Sequence, residues 1–156
     1  MSTSGQPNAR TDRGPGEVLF EFVRHWSRRL QSGDPRAAEQ GRLVLVVEAV
    51  QSVRSREPAT INAVAHELGI DQSGVSRLVK SAVATGYLEL KASDRDGRRR
   101  EVAITAAGHT MLDQAHRWQE AVFRQLTEQW TERQRVDFRK AMLSLLDRSR
   151  SLSLSS

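Results

Sequence analysis

Apolar residues recur at intervals of three and four positions over most of this chain, which is the spacing of amphipathic helices. The first such stripe comprises Val18, Leu19, Phe22, Val23, Trp26 and Leu30. Gly33-Asp34-Pro35 then supplies a helix start, and a second helix is predicted through Leu43 to Val53. Near residues 87–90 and 101–104 the pattern indicates two short strands. The chain is therefore predicted to be mainly α with a small β-hairpin.

Two short helices joined by a tight turn are predicted in the middle of the chain. Ala63, Val64 and Leu68 supply the apolar stripe of the first helix. Gly69 can take the left-handed backbone that ends this helix. Asp71 can cap the next helix by accepting hydrogen bonds from its amides. This layout is typical of a helix-turn-helix.

The second of these helices has one apolar and one polar face. The apolar face consists of Val75, Leu78, Val79, Ala82 and Val83. The polar face consists of Gln72, Ser73, Ser76, Arg77, Lys80 and Ser81. Amide, hydroxyl and cationic groups of this kind suit base edges and phosphates. A solvated surface helix would look similar in isolation, but the position directly after the capped turn favours a DNA-reading helix.

A basic loop lies between the two predicted strands. Residues 91–100 hold five cations against two acids, which leaves a local charge of +3. An arginine-rich hairpin tip beside a recognition helix can enter the minor groove, where the phosphate field is concentrated. The alternative is a solvated basic loop. Asp96, two residues before Arg98, can orient that guanidinium. The candidate DNA contacts in this hairpin, the predicted wing, are Arg95, Asp96, Arg98 and Arg99.

Taken together, these motifs resemble the multiple-antibiotic-resistance regulator (MarR) family of bacterial transcription factors, over about a third of the chain. The matching run is Thr60-Ile-x-x-Val-Ala-x-x-Leu-Gly-Ile-x-x-x-x-Val-Ser-Arg-Leu-Val, with Gly86-Tyr-Leu, Asp96-Gly-Arg98 and Ile104-Thr105-x-x-Gly108. The resemblance implies a homodimer on a palindromic operator. Each subunit would place its recognition helix in the major groove and a wing arginine in the minor groove.

The resemblance also assigns individual positions. Arg77 resembles the helix arginine of the family, and Asp96 with Arg98 resembles its wing pair. The chain departs from the family at Leu90, where a basic residue is usual. It departs again at Ala82-Val83, where a Leu-acidic pair is common.

Helices are predicted on both sides of the winged segment. Thr105 suits the cap of a helix that carries Met111, Leu112, Ala115, Trp118, Val122 and Leu126. A final helix carries Val136, Phe138, Ala141, Met142, Leu145 and Leu146. One small winged domain cannot cover so much apolar surface, so an intertwined dimer is predicted, with a monomeric bundle as the alternative.

These elements predict one domain over residues 15–148. Residues 15–56 and 106–148 would form dimerisation helices around a winged helix-turn-helix at 57–105. Polar tails, residues 1–14 and 149–156, are predicted to be disordered.

Charge and composition narrow the compartment and the partners. The net charge of +5 and pI of 10.6 suit a polyanionic partner, although solubility alone would also explain them. The absence of cysteine excludes disulfides and thiolate metal sites. No signal peptide is recognisable, and the longest purely apolar run, Leu43 to Val47, is too short to span a membrane. A cytoplasmic protein without membrane contact is expected.

Catalysis is not indicated. The sequence has no glycine-rich phosphate loop and no nucleophile elbow, and none of its four histidines has a recognisable catalytic neighbour. Neither an enzyme nor a cofactor is expected.

Two constellations could bind other ligands. His109, Asp113 and His116 share a helix face and are weak metal candidates, although such a face is usually solvated or salt-bridged. The second constellation is an aromatic wall with a cationic end that could receive a small aromatic or anionic effector, although core or dimer packing is the more common role of such a stripe. It consists of Phe22, His25, Trp26 and Arg29.

The sequence thus predicts a DNA-binding transcriptional regulator, a homodimeric repressor that a small molecule releases from its operator. The alternative is a winged-helix interaction module or general nucleic-acid scaffold that does not read bases.

Overall fold

The computed structural model describes residues 13–31 and 33–152 of the chain. The described part contains six helices and one hairpin: α1 (Pro15–Gln31), α2 (Pro35–Arg54), α3 (Ile61–Leu68), α4 (Gln72–Ala84), β1 (Leu88–Ala92), β2 (Arg100–Ile104), α5 (Ala106–Leu126) and α6 (Glu132–Ser151). The predicted class, mainly α with a small β-hairpin wing, is confirmed. Of the predicted tails, residues 1–12 and 153–156 lie outside the described residues. Residues 149–151 belong to α6.

The chain divides into two compact units, Met1–Leu112 and Asp113–Ser156. In the first unit, the apolar faces of α2, α3 and α4 and the hairpin share one core. Its fully buried side chains include Val46, Val50, Val75, Leu88 and Leu112. Full burial of one such side chain contributes roughly 1.5–3 kcal/mol relative to exposure. The helix-turn-helix and the hairpin are therefore held by the same packing.

Local signals in the sequence set the helix ends of this unit. The Asp34 carboxylate accepts the Arg36 amide at 3.1 Å and so caps α2. The Thr60 hydroxyl accepts the Ala63 amide at 3.2 Å and caps α3. Gly69 ends α3 in the left-handed region at φ 66°, as predicted. Its amide donates to the last carbonyls of the helix, which turns the chain towards α4.

The hairpin is longer than the sequence indicated. The sequence predicted strands at 87–90 and 101–104. The structure instead has five-residue strands, β1 and β2, whose antiparallel register runs from Leu88 opposite Ile104 to Ala92 opposite Arg100. The extra pairs form because backbone pairing does not depend on side-chain polarity. The loop is consequently shorter and covers residues 93–99. The Val102 amide also donates to the Ala59 carbonyl at 2.8 Å and fastens the hairpin to the segment before α3.

The start of α5 packs closely against the segment between α4 and β1. The Thr105 hydroxyl accepts the Gly108 amide at 3.0 Å, which is the expected cap, and donates to the Gly86 carbonyl at 2.5 Å. A Cβ on Gly108 would lie 2.2 Å from the Tyr87 carbonyl oxygen. Only glycine fits this crossing without a shift.

The second unit contains the rest of α5, a tight turn and α6. The rings of Phe123, Trp130 and Phe138 pack together, with centroids 5.2–6.5 Å apart. Thr127 is buried, and the Arg135 guanidinium donates to its carbonyl at 2.8 Å and its hydroxyl at 3.1 Å. These contacts fix the turn between the two helices. In the part of the chain that the structure describes, no helix has the length and apolar character needed to cross a bilayer.

Candidate nucleic-acid interface

The polar face of α4 is displayed to solvent while its opposite face is fixed in the core. Val75, Val79 and Ala82 are buried. The predicted reading residues are exposed, apart from the half-buried Ser76; they are Gln72, Ser73, Ser76, Arg77 and Lys80. Val83, which the sequence placed on the buried face, is 36% exposed because it lies at the edge of that face. Burial of one face thus fixes the orientation in which the other is presented.

The first turn of α4 differs from the prediction. Asp71 occupies the cap position with extended backbone, but its carboxylate makes no capping hydrogen bond to the helix amides. Instead it accepts the hydroxyl of Ser73. This hydrogen bond, aided by the nearby Gly74 amide and by the charge of Arg77, lowers the pKa of Asp71 below its ordinary value. Asp71 is therefore a carboxylate at neutral pH, bound to a side chain of the reading face.

The wing also differs in one detail from the prediction. The Asp96 carboxylate accepts the backbone amide of Arg98 at 3.1 Å, and the Asp96 carbonyl accepts the Arg99 amide at 2.9 Å. The expected pairing of Asp96 with the Arg98 guanidinium is not among the ion pairs of the described residues. A carboxylate two residues before an amide closes a local turn, and this contact replaces the expected pairing. Asp96 therefore shapes the tip, and Arg95, Arg98 and Arg99 stay exposed.

Ser93 contributes to the wing in a way that the sequence did not reveal. It is buried at the end of β1, its amide donates to the Arg99 carbonyl at 2.8 Å, and its hydroxyl accepts the Arg95 amide at 3.3 Å. The sequence did carry a signal for this role, because Ser93 directly precedes a turn that contains two aspartates. These contacts hold the two ends of the basic loop together.

The predicted effector residues lie together on α1. The rings of Phe22 and Trp26 are 6.3 Å apart, His25 meets Trp26 edge-on at 6.2 Å, and the Arg29 guanidinium lies 5.8 Å from the Trp26 centroid. All are exposed except the half-buried Trp26. The side chain of Leu30, predicted to continue this stripe, lies outside the described residues. An open cleft of about 580 Å³ lies elsewhere, between the start of α3 and the wing residues Arg99 and Arg100.

The weak metal candidates do not form a site in the structure. His109, Asp113 and His116 all lie on α5. Within residues 13–31 and 33–152, no three His, Asp or Glu side chains come together as metal ligands.

Comparison with known proteins shows which family model and which solved structures the chain resembles. Residues 49–99 match the sequence model of the MarR family. No curated protein matches the chain. A crystal structure of MarR is similar to it at 18% identity over 95% of this chain and 97% of that one, with a TM-score of 0.67.

Two further solved structures share this likeness. BpsR of Bordetella bronchiseptica, whose DNA binding is regulated by 6-hydroxynicotinic acid, is 17% identical over 96% of this chain and 100% of its own, with a TM-score of 0.61. A mutant MarR from E. coli is 16% identical over 86% and 97%, with a TM-score of 0.62. At these identities the structures show a common fold.

Proposed function

We propose that this chain, which matches the MarR family model over residues 49–99 and shares the fold of a solved MarR structure, is a DNA-binding regulator of that family and acts as a homodimeric repressor. The dimer binds a palindromic operator and is released from it by a small-molecule effector. The observation that carries the proposal is the exposed polar face of α4, held beside an arginine-rich wing by one shared core.

The two parts of this interface have different tasks. Contacts from α4 read base edges in the major groove, and the wing arginines grip phosphates and the minor groove. The segment of residues 57–105 holds seven cations and seven acids, so its total charge does not attract DNA. Attraction comes instead from the separation of cations onto α4 and the wing. The proposed contacts are Gln72, Ser73, Ser76, Arg77, Lys80, Arg95, Asp96, Arg98 and Arg99.

Exposed apolar surface supports the dimer. In the first unit, α1 exposes Phe20, Phe22 and Val23, with Phe20 at 64%. In the second unit, α6 exposes Leu145 and Leu146 at about half of their surface. Apolar patches of this extent on both terminal helices are unusual for a monomer and are covered when a second copy binds. A dimer in turn requires a two-fold symmetric operator.

The effector proposal rests on the cluster of α1. Phe22 and Trp26 offer an apolar wall, and Arg29 offers a cation that can pair with a carboxylate. An aromatic acid combines both features. The regulation of BpsR by 6-hydroxynicotinic acid supports this chemical class for a protein of the same fold. Operator release by salicylate-like acids, lost in Arg29→Ala while DNA binding persists, is the expected result. Unaltered DNA binding across a broad panel of aromatic acids would contradict it.

Selection from a library of random duplexes tests the function as a whole. The expected product is a two-fold symmetric consensus with half-sites spaced by about one helical turn, roughly 34–36 Å. If roughly six to ten phosphates are contacted, affinity falls about a thousandfold or more between 50 and 200 mM salt. Arg98→Ala, which removes a wing cation, should weaken binding to DNA. Arg36→Ala is its matched control, because it removes one exposed cation from α2, outside the proposed interface. Binding without any enriched sequence would favour the general scaffold, and no binding at low salt would refute DNA binding.

A further inference from the structure

The hydroxyl proton of Ser73 is already donated in a hydrogen bond within the protein. Ser73 lies in the first turn of α4 on the exposed face, and its hydroxyl donates to the Asp71 carboxylate. A serine hydroxyl has one proton to donate and two lone pairs that accept. While this hydrogen bond persists, Ser73 can offer a DNA group only an acceptor.

The partners of an acceptor in the major groove are few. Guanine and thymine present carbonyl oxygens, and both purines present N7, all of which accept hydrogen bonds. Phosphate oxygens also accept. Only the amino groups of adenine and cytosine donate. An acceptor-only serine therefore distinguishes amino bases from keto bases and gains nothing from a phosphate.

We infer that Asp71 is a positioning residue for specificity, which holds Ser73 as an acceptor so that α4 selects adenine or cytosine at one position of each half-site. This inference rests on the proposed function, because it presumes that the N-terminal turn of α4 meets base edges. Asp71 acts through Ser73. It also adds a negative charge near the DNA, so its presence reduces attraction to every duplex while sharpening the choice among sequences.

Gly74 gives independent structural support. A Cβ at this position would lie 2.8 Å from Oδ1 of Asp71, closer than side chains normally approach. Glycine inside a helix is destabilising relative to alanine. Its presence in the first turn of α4 is explained if the carboxylate must sit there. Gly74→Ala therefore displaces the carboxylate while leaving Asp71 and Ser73 in the sequence.

The ionised state of Asp71 keeps this arrangement in place at neutral pH. The hydrogen bond from Ser73 is the largest cause of its lowered pKa, and the charge of Arg77 acts in the same direction. A carboxylate has no proton of its own, so it can take part in this pair only as the acceptor. Ser73 is thereby kept in the role of donor to Asp71.

The test begins with the consensus that the full-length protein selects from random duplexes. Each adenine is then replaced in turn by purine, and each cytosine by pyrimidin-2-one, because both analogues lack the exocyclic amine. At one position per half-site, the wild-type protein should bind the analogue about 2- to 12-fold more weakly, the value of one hydrogen bond. Ser73→Ala should abolish this difference. Asp71→Ala and Gly74→Ala free the hydroxyl of Ser73 to donate as well as accept, so both variants should admit guanine or thymine at that position.

Asp94→Ala is the matched control, because it removes an exposed carboxylate from the wing instead of from α4. It should alter affinity for all duplexes alike and keep the amine preference. Circular dichroism melting of each variant confirms that it is folded. An amine preference that survives Ser73→Ala would mean that Asp71 reads the base itself. Continued rejection of guanine and thymine by both Asp71→Ala and Gly74→Ala would mean that Ser73 needs no positioning. Either result overturns the inference while a selected consensus still supports the proposed function. Failure to select any consensus overturns both.

Discussion

Gly108→Ala tests the close crossing between the start of α5 and the segment that joins α4 to β1. The added methyl would lie 2.2 Å from the Tyr87 carbonyl oxygen and 2.8 Å from a methyl group of Ile104. Ordinary contacts require at least about 1 Å more. Tyr87 cannot give way easily, because its amide donates to the Ala82 carbonyl at 2.9 Å and its carbonyl accepts the Thr105 amide at 3.1 Å. The methyl must therefore displace backbone that two hydrogen bonds hold.

The magnitude follows from two opposed effects. Overpacking typically costs about 1–3 kcal/mol, and loss of one hydrogen bond adds about 0.5–1.5 kcal/mol. Alanine in place of glycine in a helix returns about 0.5–1 kcal/mol. The net expectation is a decrease of about 0.5–4 kcal/mol in the free energy of unfolding. Affinity for DNA should fall as well, because a shift of Tyr87 would move the hairpin, which starts at the following residue, Leu88.

Gly41→Ala is the matched control. Gly41 lies within α2, is exposed, and has no atom within 4 Å of the position of the added Cβ. The same substitution should therefore raise the free energy of unfolding by about 0.5–1 kcal/mol. Both variants are unfolded with urea at one fixed protein concentration, because a dimer makes apparent stability concentration-dependent. Equal stabilisation by the two substitutions would show that the crossing is not tight and would refute the reasoning.

Three further outcomes are expected. Arg98→Ala should weaken binding to all duplexes alike and reduce the slope of log affinity against log salt concentration by about one. Arg77→Ala should instead reduce the binding free energy by about 1–3 kcal/mol at particular base pairs. Equal losses of affinity on every sequence for both variants would remove the distinction. Leu146→Glu should shift the mass in light scattering from two subunits to one, and an unchanged mass would exclude this part of α6 from the interface. The folded pKa of Asp71 lies below 3.8, so its contribution to stability is present above pH 3.8 and is lost as the pH falls through the folded pKa. The stability difference between the wild type and Asp71→Asn should therefore shrink in acid, and a constant difference would contradict the assignment.

Interactions that span a few residues were predictable from the sequence. Gly69 ends α3 in the left-handed region, and Thr105 caps the start of α5, because both features depend only on the residue and its near neighbours. The pattern of α4 likewise indicated its buried face, since the 3.6-residue period of a helix fixes which side chains share a side. Only Val83, at the margin of that face, was assigned wrongly.

Choices between competing partners were not predictable. Asp71 has helix amides and the Ser73 hydroxyl within reach, and Asp96 has both the amide and the guanidinium of Arg98 within reach. Spacing gives the reach but not the rotamer that decides between them. The contact of Arg135 with Thr127 joins α6 to the turn that follows α5, and it depends on the angle of that turn, which no local signal specifies. Side-chain roles at the candidate interface therefore needed the structure.

The departure from the family at Leu90 bears on where the wing holds DNA. Leu90 lies on β1 opposite Val102 and is 41% exposed, so it offers an apolar surface where a cation is usual. The nearby Lys91 forms an ion pair with Glu89 at 2.8 Å, which partly offsets its charge. The exposed arginines Arg95, Arg98 and Arg99 are therefore the main cations of the hairpin, and they lie at the tip, where Asp96 holds the backbone of Arg98. Because fewer cations along the strand share the phosphate contacts, removal of the Arg98 guanidinium should cost this chain a larger fraction of its electrostatic affinity than it would cost a relative with a basic residue at position 90.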